Sequence, residues 1–370
     1  MRAVAVSPSR KEVRVIDHPE PRVERPTDVL ARVLEVGICG TDREIARLEY
    51  GTPPPGQDHL VIGHESLVEV VAVGADVEGL APGDLAVPMV RRPCPSPACA
   101  PCRYGRADFC NTGEYEERGI NRRHGYMTER IADESRWFVP VPAELREVGV
   151  LVEPLTVATK GILQAWELVK RFPWLQLEAL KGREHGARAV VIGAGAVGLL
   201  GAMALRVRGF DLWLWSLEPE DGPQARLIEA VGGHYRSTAG RPLAGLAAEV
   251  GQIVFFFEAT GAAPVAFEAM PLLAPNGAFC LTGVPGRKGP IPVDAGTIMK
   301  SLVLRNQVVY GTVNAGPDAF RAAVGDLGEF VRRWPREIGS LISSRHTLEE
   351  VPGLLARPPA GTKSVVRVGS

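Results

Sequence analysis

At 370 residues the chain is longer than a single hydrophobic core usually grows, so two domains are expected. With 45% hydrophobic and 23% charged residues and a formal net charge of −1, it offers no electrostatic reason to bind nucleic acid or an anionic membrane surface. No apolar run reaches the ~18 residues of a membrane span. The alternating start, Met1 to Ser7, lacks the apolar core of a signal peptide, so a cytoplasmic protein is expected.

In chain order, the first part reads as strands separated by Pro- and Gly-rich turns. Val13–Ile16, Val29–Val36 and Leu67–Val73 are β-branched runs, and Leu85–Val87 follows a turn-rich stretch. An all-β, barrel-like domain with little helix before about residue 150 is expected. The pattern then changes. Leu155–Val169 and Gly195–Val207 read as helices around a short apolar strand, Arg188–Ile192. Strands at Leu212–Trp215, Ile253–Phe257, Ala278–Leu281 and Val308–Tyr310 then alternate with helices at Gln224–Val231 and Ala263–Leu273. Such alternation implies a parallel sheet covered on both faces. A helix opening at Pro317 and a closing strand, Ser364–Val368, look like a return to the first domain. The fold class is therefore mixed β and α/β, with one domain from 1–155 and 316–370 and a second from 156–315.

Three stretches carry chemistry. Gly37-Ile38-Cys39-Gly40-Thr41-Asp42 and Gly63-His64-Glu65 bring a thiol, an imidazole, a hydroxyl and two carboxylates into short segments. Sulfur and imidazole nitrogen are what zinc prefers, and a catalytic zinc keeps one position open. Cys39 and His64 are the candidate ligands, in the company of the carboxylates Glu65 and Glu153. Asp42 is placed to accept the second ring hydrogen of His64, the carboxylate support that ligating histidines usually have. Taken singly, each of these residues is more often a core Cys or a satisfied His; their company favours a site.

The second stretch holds Cys94, Cys99, Cys102 and Cys110 in a proline-rich segment. Four thiolates close a tetrahedral zinc site, so this one would be structural. Cys280, in an apolar strand, reads as a packed thiol. His18, His59, His124, His185, His234 and His346 lack comparable neighbours in the sequence and read as surface or core residues.

The third stretch, Arg188 to Gly198, is a strand running into Gly193-Ala194-Gly195-Ala196-Val197-Gly198 and a helix. Gly193 permits the turn, Gly195 the approach of a pyrophosphate and Gly198 close helix packing. Glu218, twenty positions after Gly198, would bond a ribose 2′-hydroxyl and repel a 2′-phosphate. NAD is therefore favoured over NADP, tempered by Ser216 and Arg226 nearby.

With these residues in place, the chain resembles the zinc-containing medium-chain alcohol dehydrogenases over nearly its whole length. It is most similar to their archaeal and thermophilic glucose dehydrogenase branch. Val90–Pro93, Asp108–Glu114 and Tyr310–Asn314 support that branch. The resemblance implies a GroES-like catalytic domain, a Rossmann domain and a zinc-dependent oxidation of an aldose, D-glucose first among them, at C1 to the lactone. It implies Cys39 and His64 as zinc ligands completed by Glu65 or Glu153, or by a water held by either, Thr41 as proton relay, and Glu114 and Asn314 as partners of sugar hydroxyls. Gly193, Gly195, Val197, Gly198, Ser216, Glu218, Thr260, Gly283, Val284 and Thr312 would line the dinucleotide site. It also implies a homodimer or homotetramer.

Two departures stand out. The first cysteine gap is four residues where the family usually has two, and Trp215-Ser216-Leu217-Glu218 replaces an Asn-Arg-Arg-like phosphate grip. A polyol, simple alcohol or threonine-type dehydrogenase of the same family is the alternative reading. A non-catalytic nucleotide-binding protein is a remoter one, since it would have no need of Cys39, Thr41, His64 and Glu65 together.

Overall fold

The computed structural model describes residues 1–171, 186–239, 243–286, 289–358 and 360–368. Its contacts divide the chain into Met1–Glu153 with Asn314–Val331 and Ile338–Ser370, and Pro154–Val313 with Arg332–Glu337.

In the first unit, β1 (Arg2–Ser7) pairs antiparallel with β2 (Glu12–Asp17) and with β4 (Leu60–Val61). The long β3 (Asp28–Gly37) is the spine of a larger, seven-stranded sheet. It pairs antiparallel with β5 (Glu65–Val73), which leads to β6 (Leu85–Pro88). Short β7 (Arg91–Arg92), β8 (Glu116–Arg118) and β9 (Arg122–Arg123) form a separate ribbon. β10 (Arg130–Glu134) joins β3, and β11 (Phe138–Val141) joins β6. The β-branched runs of these strands bury one continuous core that includes Val4, Val33, Val36, Ile62, Val68, Val70 and Met127. Each such side chain is worth ~1.5–3 kcal/mol on full burial.

Two short α-helices interrupt the strands of its Met1–Glu153 segment: α1 (Gly40–Ala46) and α2 (Ala100–Arg103). The first lies on the Cys39–Asp42 motif itself, where the sequence reading had no helix. Its start is set by Asp42, whose side chain reaches back to the Cys39 amide as in a capping box.

The helix α3 (Val152–Val169) begins three residues before the expected Leu155, which puts Glu153 in its first turn. The second unit is a parallel sheet of β12 (Arg188–Ile192), β13 (Asp211–Ser216), β14 (His234–Ser237), β15 (Ile253–Glu258), β16 (Leu273–Leu281) and β17 (Val308–Gly311). Its spatial order is β14-β13-β12-β15-β16-β17, so the strand order reverses between β12 and β15. That crevice is where doubly wound sheets bind nucleotides. Between the strands run α4 (Ala196–Val207), α5 (Pro223–Ala230), α6 (Leu243–Val250), α7 (Ala263–Ala269) and α8 (Ala295–Leu304). α7 ends earlier than the sequence pattern suggests and β16 starts earlier, because Pro271 supplies no amide to continue the helix. Val190, Ile192, Phe256 and Phe279 fill the core.

After α9 (Pro317–Arg333) the chain adds β18 (Ile342–His346) and β19 (Lys363–Arg367). β19 pairs antiparallel with β3, so the closing strand completes the seven-stranded sheet. Among the described residues no helix is long and apolar enough to cross a membrane.

Candidate active site and metal centres

Cys39 is the N-cap of α1, immediately past β3, and His64 and Glu65 stand where β5 begins. The buried Asp42 ties the two segments together. One of its oxygens accepts the Cys39 amide at 2.8 Å and the other the Gly63 amide at 3.1 Å. The Nδ1 of His64 lies 3.6 Å from Asp42, beyond hydrogen-bond reach. Asp42 thus orients the site through backbone amides rather than through the ring bond the sequence suggested, while remaining its charge partner. Burial opposes a charged His64, but Asp42 and Cys39 carry its pKa well above the ordinary imidazole value.

Donor atoms of Cys39, His64 and Glu65 all lie within 4.8 Å of one another. The close packing leaves no room for a side chain at Gly37, whose Cβ would overlap Glu65 Oε2. One feature was not singled out in the sequence. Lys363, at the start of β19 and 298 residues from Glu65, places its ammonium 2.8 and 2.7 Å from the two Glu65 oxygens. Both side chains are buried. The only signal for this was a lysine at the mouth of an apolar strand. Glu153 is also buried. Burial, reinforced by Glu65 and Asp42, raises its pKa to about 7 against the pull of His64 and Lys363. Three buried carboxylates, Asp42, Glu65 and Glu153, thus share the interior with the Lys363 ammonium and the His64 ring, and sulfur, nitrogen and oxygen donors brought together in this way are the set that zinc takes. The residues fit zinc. Thr41, half-buried in the first turn of α1, is next to this set in the chain.

The sulfurs of Cys94, Cys99, Cys102 and Cys110 also fall within 4.8 Å of one another, so the longer first gap does not displace Cys94. Burial opposes ionisation of Cys110, but hydrogen bonds from Thr112 and the Gly113 amide prevail and bring its pKa down to about 6. Thiolate is the form that zinc binds. Cys102→Ser is expected to remove one zinc per chain and lower the melting temperature while the catalytic zinc stays bound. Metal analysis beside a thermal melt checks this, and unchanged zinc content would refute it. Cys280 is fully buried in β16, its pKa pushed up to about 12 by burial.

The residues expected at the sugar are placed differently from one another. Glu114 is exposed and lines a cavity of about 500 Å³ with Arg92, Arg123 and Trp137. Asn314, at a left-handed φ of 55°, donates to Glu117 Oε1 at 2.9 Å and accepts the Ala315 amide at 2.8 Å. Arg91 and Arg92, in the Val90–Pro93 stretch that supports the resemblance to glucose dehydrogenases, are both committed to buried ion pairs. Arg91 bonds Glu117 at 2.9 Å, and Arg92 bonds Asp133 at 2.6 Å.

In the second unit the glycine loop follows β12 and opens α4. Gly193 has φ +106°, and a Cβ there would press on Thr260; a Cβ on Gly198 would run into the Gly193 carbonyl. Nothing lies within 4 Å of a Cβ on Gly195, which caps α4 without a side-chain partner. Free helix amides beside open space are an anion cradle, so the residues fit a pyrophosphate. Ser216 Oγ accepts the Ala194 amide at 3.0 Å and donates to Glu218 Oε2 at 2.5 Å, fixing Glu218 at the end of β13. A second organiser was missed in the sequence. The buried Glu258 accepts from the Thr260 amide (2.6 Å), the Gly261 amide (2.9 Å) and the Gly283 amide (3.3 Å). It thereby binds together the loops after β15 and β16. Val284 is 80% exposed, and Thr312 Oγ1 is buried with no partner among the described residues. Val197 lies in the first turn of α4.

Comparison with known proteins decides the family. Residues 25–143 match the alcohol dehydrogenase GroES-like domain, and residues 146–368 match the glucose dehydrogenase C-terminus. The chain belongs to the glucose dehydrogenase branch of the zinc-containing medium-chain alcohol dehydrogenases. It is an enzyme of the zinc-dependent NAD(P) dehydrogenase type. Among its relatives are the glucose 1-dehydrogenases of Methanocella arvoryzae, 37% identical over 100% of both chains, and of Thermoproteus tenax, 39% identical over 89% of this chain and 88% of that one. The solved glucose dehydrogenase of Haloferax mediterranei, in complex with NADP, zinc and gluconolactone, superposes with a TM-score of 0.87. It is 31% identical over the full length of both chains.

Of the remaining histidines, His234 stacks on Trp213 and His346 meets Ser344, while His185 lies outside the described residues. His18, His59 and His124 do not stand apart as the sequence suggested: their ligand atoms lie within 4.8 Å of one another.

Proposed function

We propose that this dehydrogenase oxidises an aldose, D-glucose first among them, at C1 to the lactone. The observation carrying this reading is the Cys39–His64–Glu65 donor set in a chain alignable end to end with a glucose dehydrogenase that holds zinc and gluconolactone. Cys39 and His64 would hold the zinc. Glu65 is the carboxylate within the donor set, and Lys363 holds it in place; Glu153 is the alternative ligand. Zinc supplies a Lewis acid of the kind that brings a water pKa from 15.7 to about 7. Thr41 would pass the substrate's hydroxyl proton outward, and Asp42 would keep Cys39 and His64 in register. The nicotinamide supplies the hydride acceptor, so loss of the C1 hydride with the hydroxyl proton leaves a lactone. Glu114 and Asn314 would bond sugar hydroxyls. Asn314 would have to share its amide with Glu117, which makes it a positioning group as much as a ligand.

A panel of aldoses, polyols, simple alcohols and amino alcohols with NAD and NADP tests the reading. The expected result is the highest kcat/KM on an aldose with lactone as product. Turnover confined to polyols or amino alcohols would overturn it.

NAD is the proposed preferred nucleotide and NADP the second, although the Haloferax relative was solved with NADP. Support comes from Glu218, held at the β13 terminus, and from the exposed Leu217 beside it, where a cation would be needed to grip a 2′-phosphate. Like charges about 4 Å apart repel by ~1–4 kcal/mol. Glu218→Ala is therefore expected to shift the NADP-to-NAD ratio of kcat/KM by ~10-fold or more toward NADP. An unmoved ratio in steady-state kinetics would remove Glu218 as the discriminator.

A homodimer or homotetramer in the cytoplasm is the proposed state. β17 is an edge strand, and Met299, Val303 and Leu304 of α8 are 65–69% exposed. Light scattering on the purified protein decides between monomer and oligomer.

A further inference from the structure

Among the described residues, a third cluster of metal-ligand side chains lies in the first unit and plays no part in the chemistry above. His18 follows β2, His59 precedes β4, and His124 is held to β4 by the Val61 amide, which donates to its Nδ1 at 3.1 Å. The rings of His18 and His124 are 4.8 Å apart, and those of His59 and His124 are 5.2 Å apart. We propose that His18, His59 and His124 form a third metal site, for a divalent transition-metal ion of the zinc or nickel class.

Three observations carry this. First, one ligand atom from each ring falls within 4.8 Å of the others. Two nitrogens on one tetrahedral ion at 2.0–2.1 Å are about 3.3 Å apart, so small side-chain rotations close the gap. Second, His18 Nδ1 and His59 Nε2 are buried with no hydrogen-bond partner. Buried polar nitrogens are rarely left so, and a shared cation satisfies both. Third, His59 Nδ1 is 3.0 Å from Asp58 Oδ1. That bond fixes the proton on Nδ1 and leaves the Nε2 lone pair free, the carboxylate–histidine–metal arrangement of established sites. The donors are all imidazole nitrogen, which suits zinc, nickel or copper and not magnesium or calcium.

His124 is the weakest of the three ligands. Its Nδ1 accepts the Val61 amide and its Nε2–H donates to Gln57 Oε1 2.6 Å away, so its Nδ1 lone pair becomes a ligand only when the Val61 amide bond is given up for the ion, while the bond to Gln57 can stay. An ion here would clasp the end of β2, the start of β4 and the segment at residue 124, so it should stabilise this unit without entering catalysis.

The test uses the tag-free, zinc-loaded full-length enzyme titrated with Ni²⁺ in a calorimeter. One Ni²⁺ per chain is expected to bind the wild type and to raise its melting temperature. His59→Ala should lose that equivalent, and His124→Ala should retain weakened binding, with dehydrogenase activity unchanged in both. Equal Ni²⁺ binding by wild type and His59→Ala, or none by the wild type, would overturn the proposal. His18→Ala carries the comparison if His59→Ala does not fold. The readout is metal binding, so it stands or falls apart from the assignment of the sugar.

Discussion

His64→Ala and Cys39→Ser are each expected to abolish turnover while leaving the fold intact. The loss should exceed the 10²–10⁴-fold that removal of a single proton-transfer group costs, because the group holding the Lewis acid goes with the ligand. His64 is 5% exposed, so Ala leaves a small buried void. The ties that organise the site, Asp42 to the Cys39 and Gly63 amides and Lys363 to Glu65, do not involve its ring. Thr41→Ala should retain zinc and lose activity within the 10²–10⁴-fold range. Zinc per chain, kcat and far-UV circular dichroism measured together separate these cases. A metal-free His64→Ala protein turning over near the wild-type rate would eliminate the zinc mechanism, and an unimpaired Thr41→Ala enzyme would eliminate the relay.

The largest stability effect is expected from Asp133→Asn. This carboxylate, 8% exposed on β10, meets Arg92 at 2.6 Å, Arg118 at 2.6 Å and Arg123 at 3.3 Å. Arg92 and Arg118 are themselves buried. Asn would leave their charges uncompensated in the interior, and breaking a buried pair from one side costs ~3–5 kcal/mol. That is a large share of the ~5–15 kcal/mol that holds a domain folded. Burial pushes the Asp133 pKa up, but the three guanidiniums outweigh it and hold the carboxyl well below its usual range. Because the folded value is depressed, this stabilisation is present above the unfolded pKa of about 3.9 and is lost as pH falls below it toward the folded value. Urea midpoints of wild type and variant should therefore differ widely at neutral pH and converge in strong acid. A constant difference across that range would show that the arginines do not depend on the charge of Asp133.

Much of the fold was legible because its signals are local. A strand entering Gly193 to Gly198 has few conformations open to it, and the backbone at Gly193 requires a left-handed φ that glycine supplies cheaply. Four cysteines within seventeen residues need only one irregular loop to bring their sulfurs together. The same holds for Cys39 to Asp42, where a reaching carboxylate closes the first turn of a helix the sequence pattern did not reveal. The closing strand, too, could be assigned to the first unit from its β-branched run.

What stayed hidden depends on which distant residues are buried together. Lys363 and Glu65 are far apart in the chain and meet only because β19 lies beside β3 in the seven-stranded sheet. Nothing local pairs Arg91 with Glu117 or Arg92 with Asp133; the fold matched them. His18, His59 and His124, each unremarkable in its own segment, form a cluster only once β1 brings β2 and β4 to its two sides. Sequence by itself determined the backbone grammar and pointed to the residue types of the proposed zinc and nucleotide sites, since those follow from local φ/ψ limits and ligand chemistry. Only tertiary structure decided which charges and imidazoles share an interior, because burial sets the partner of each and burial is a property of the packed chain.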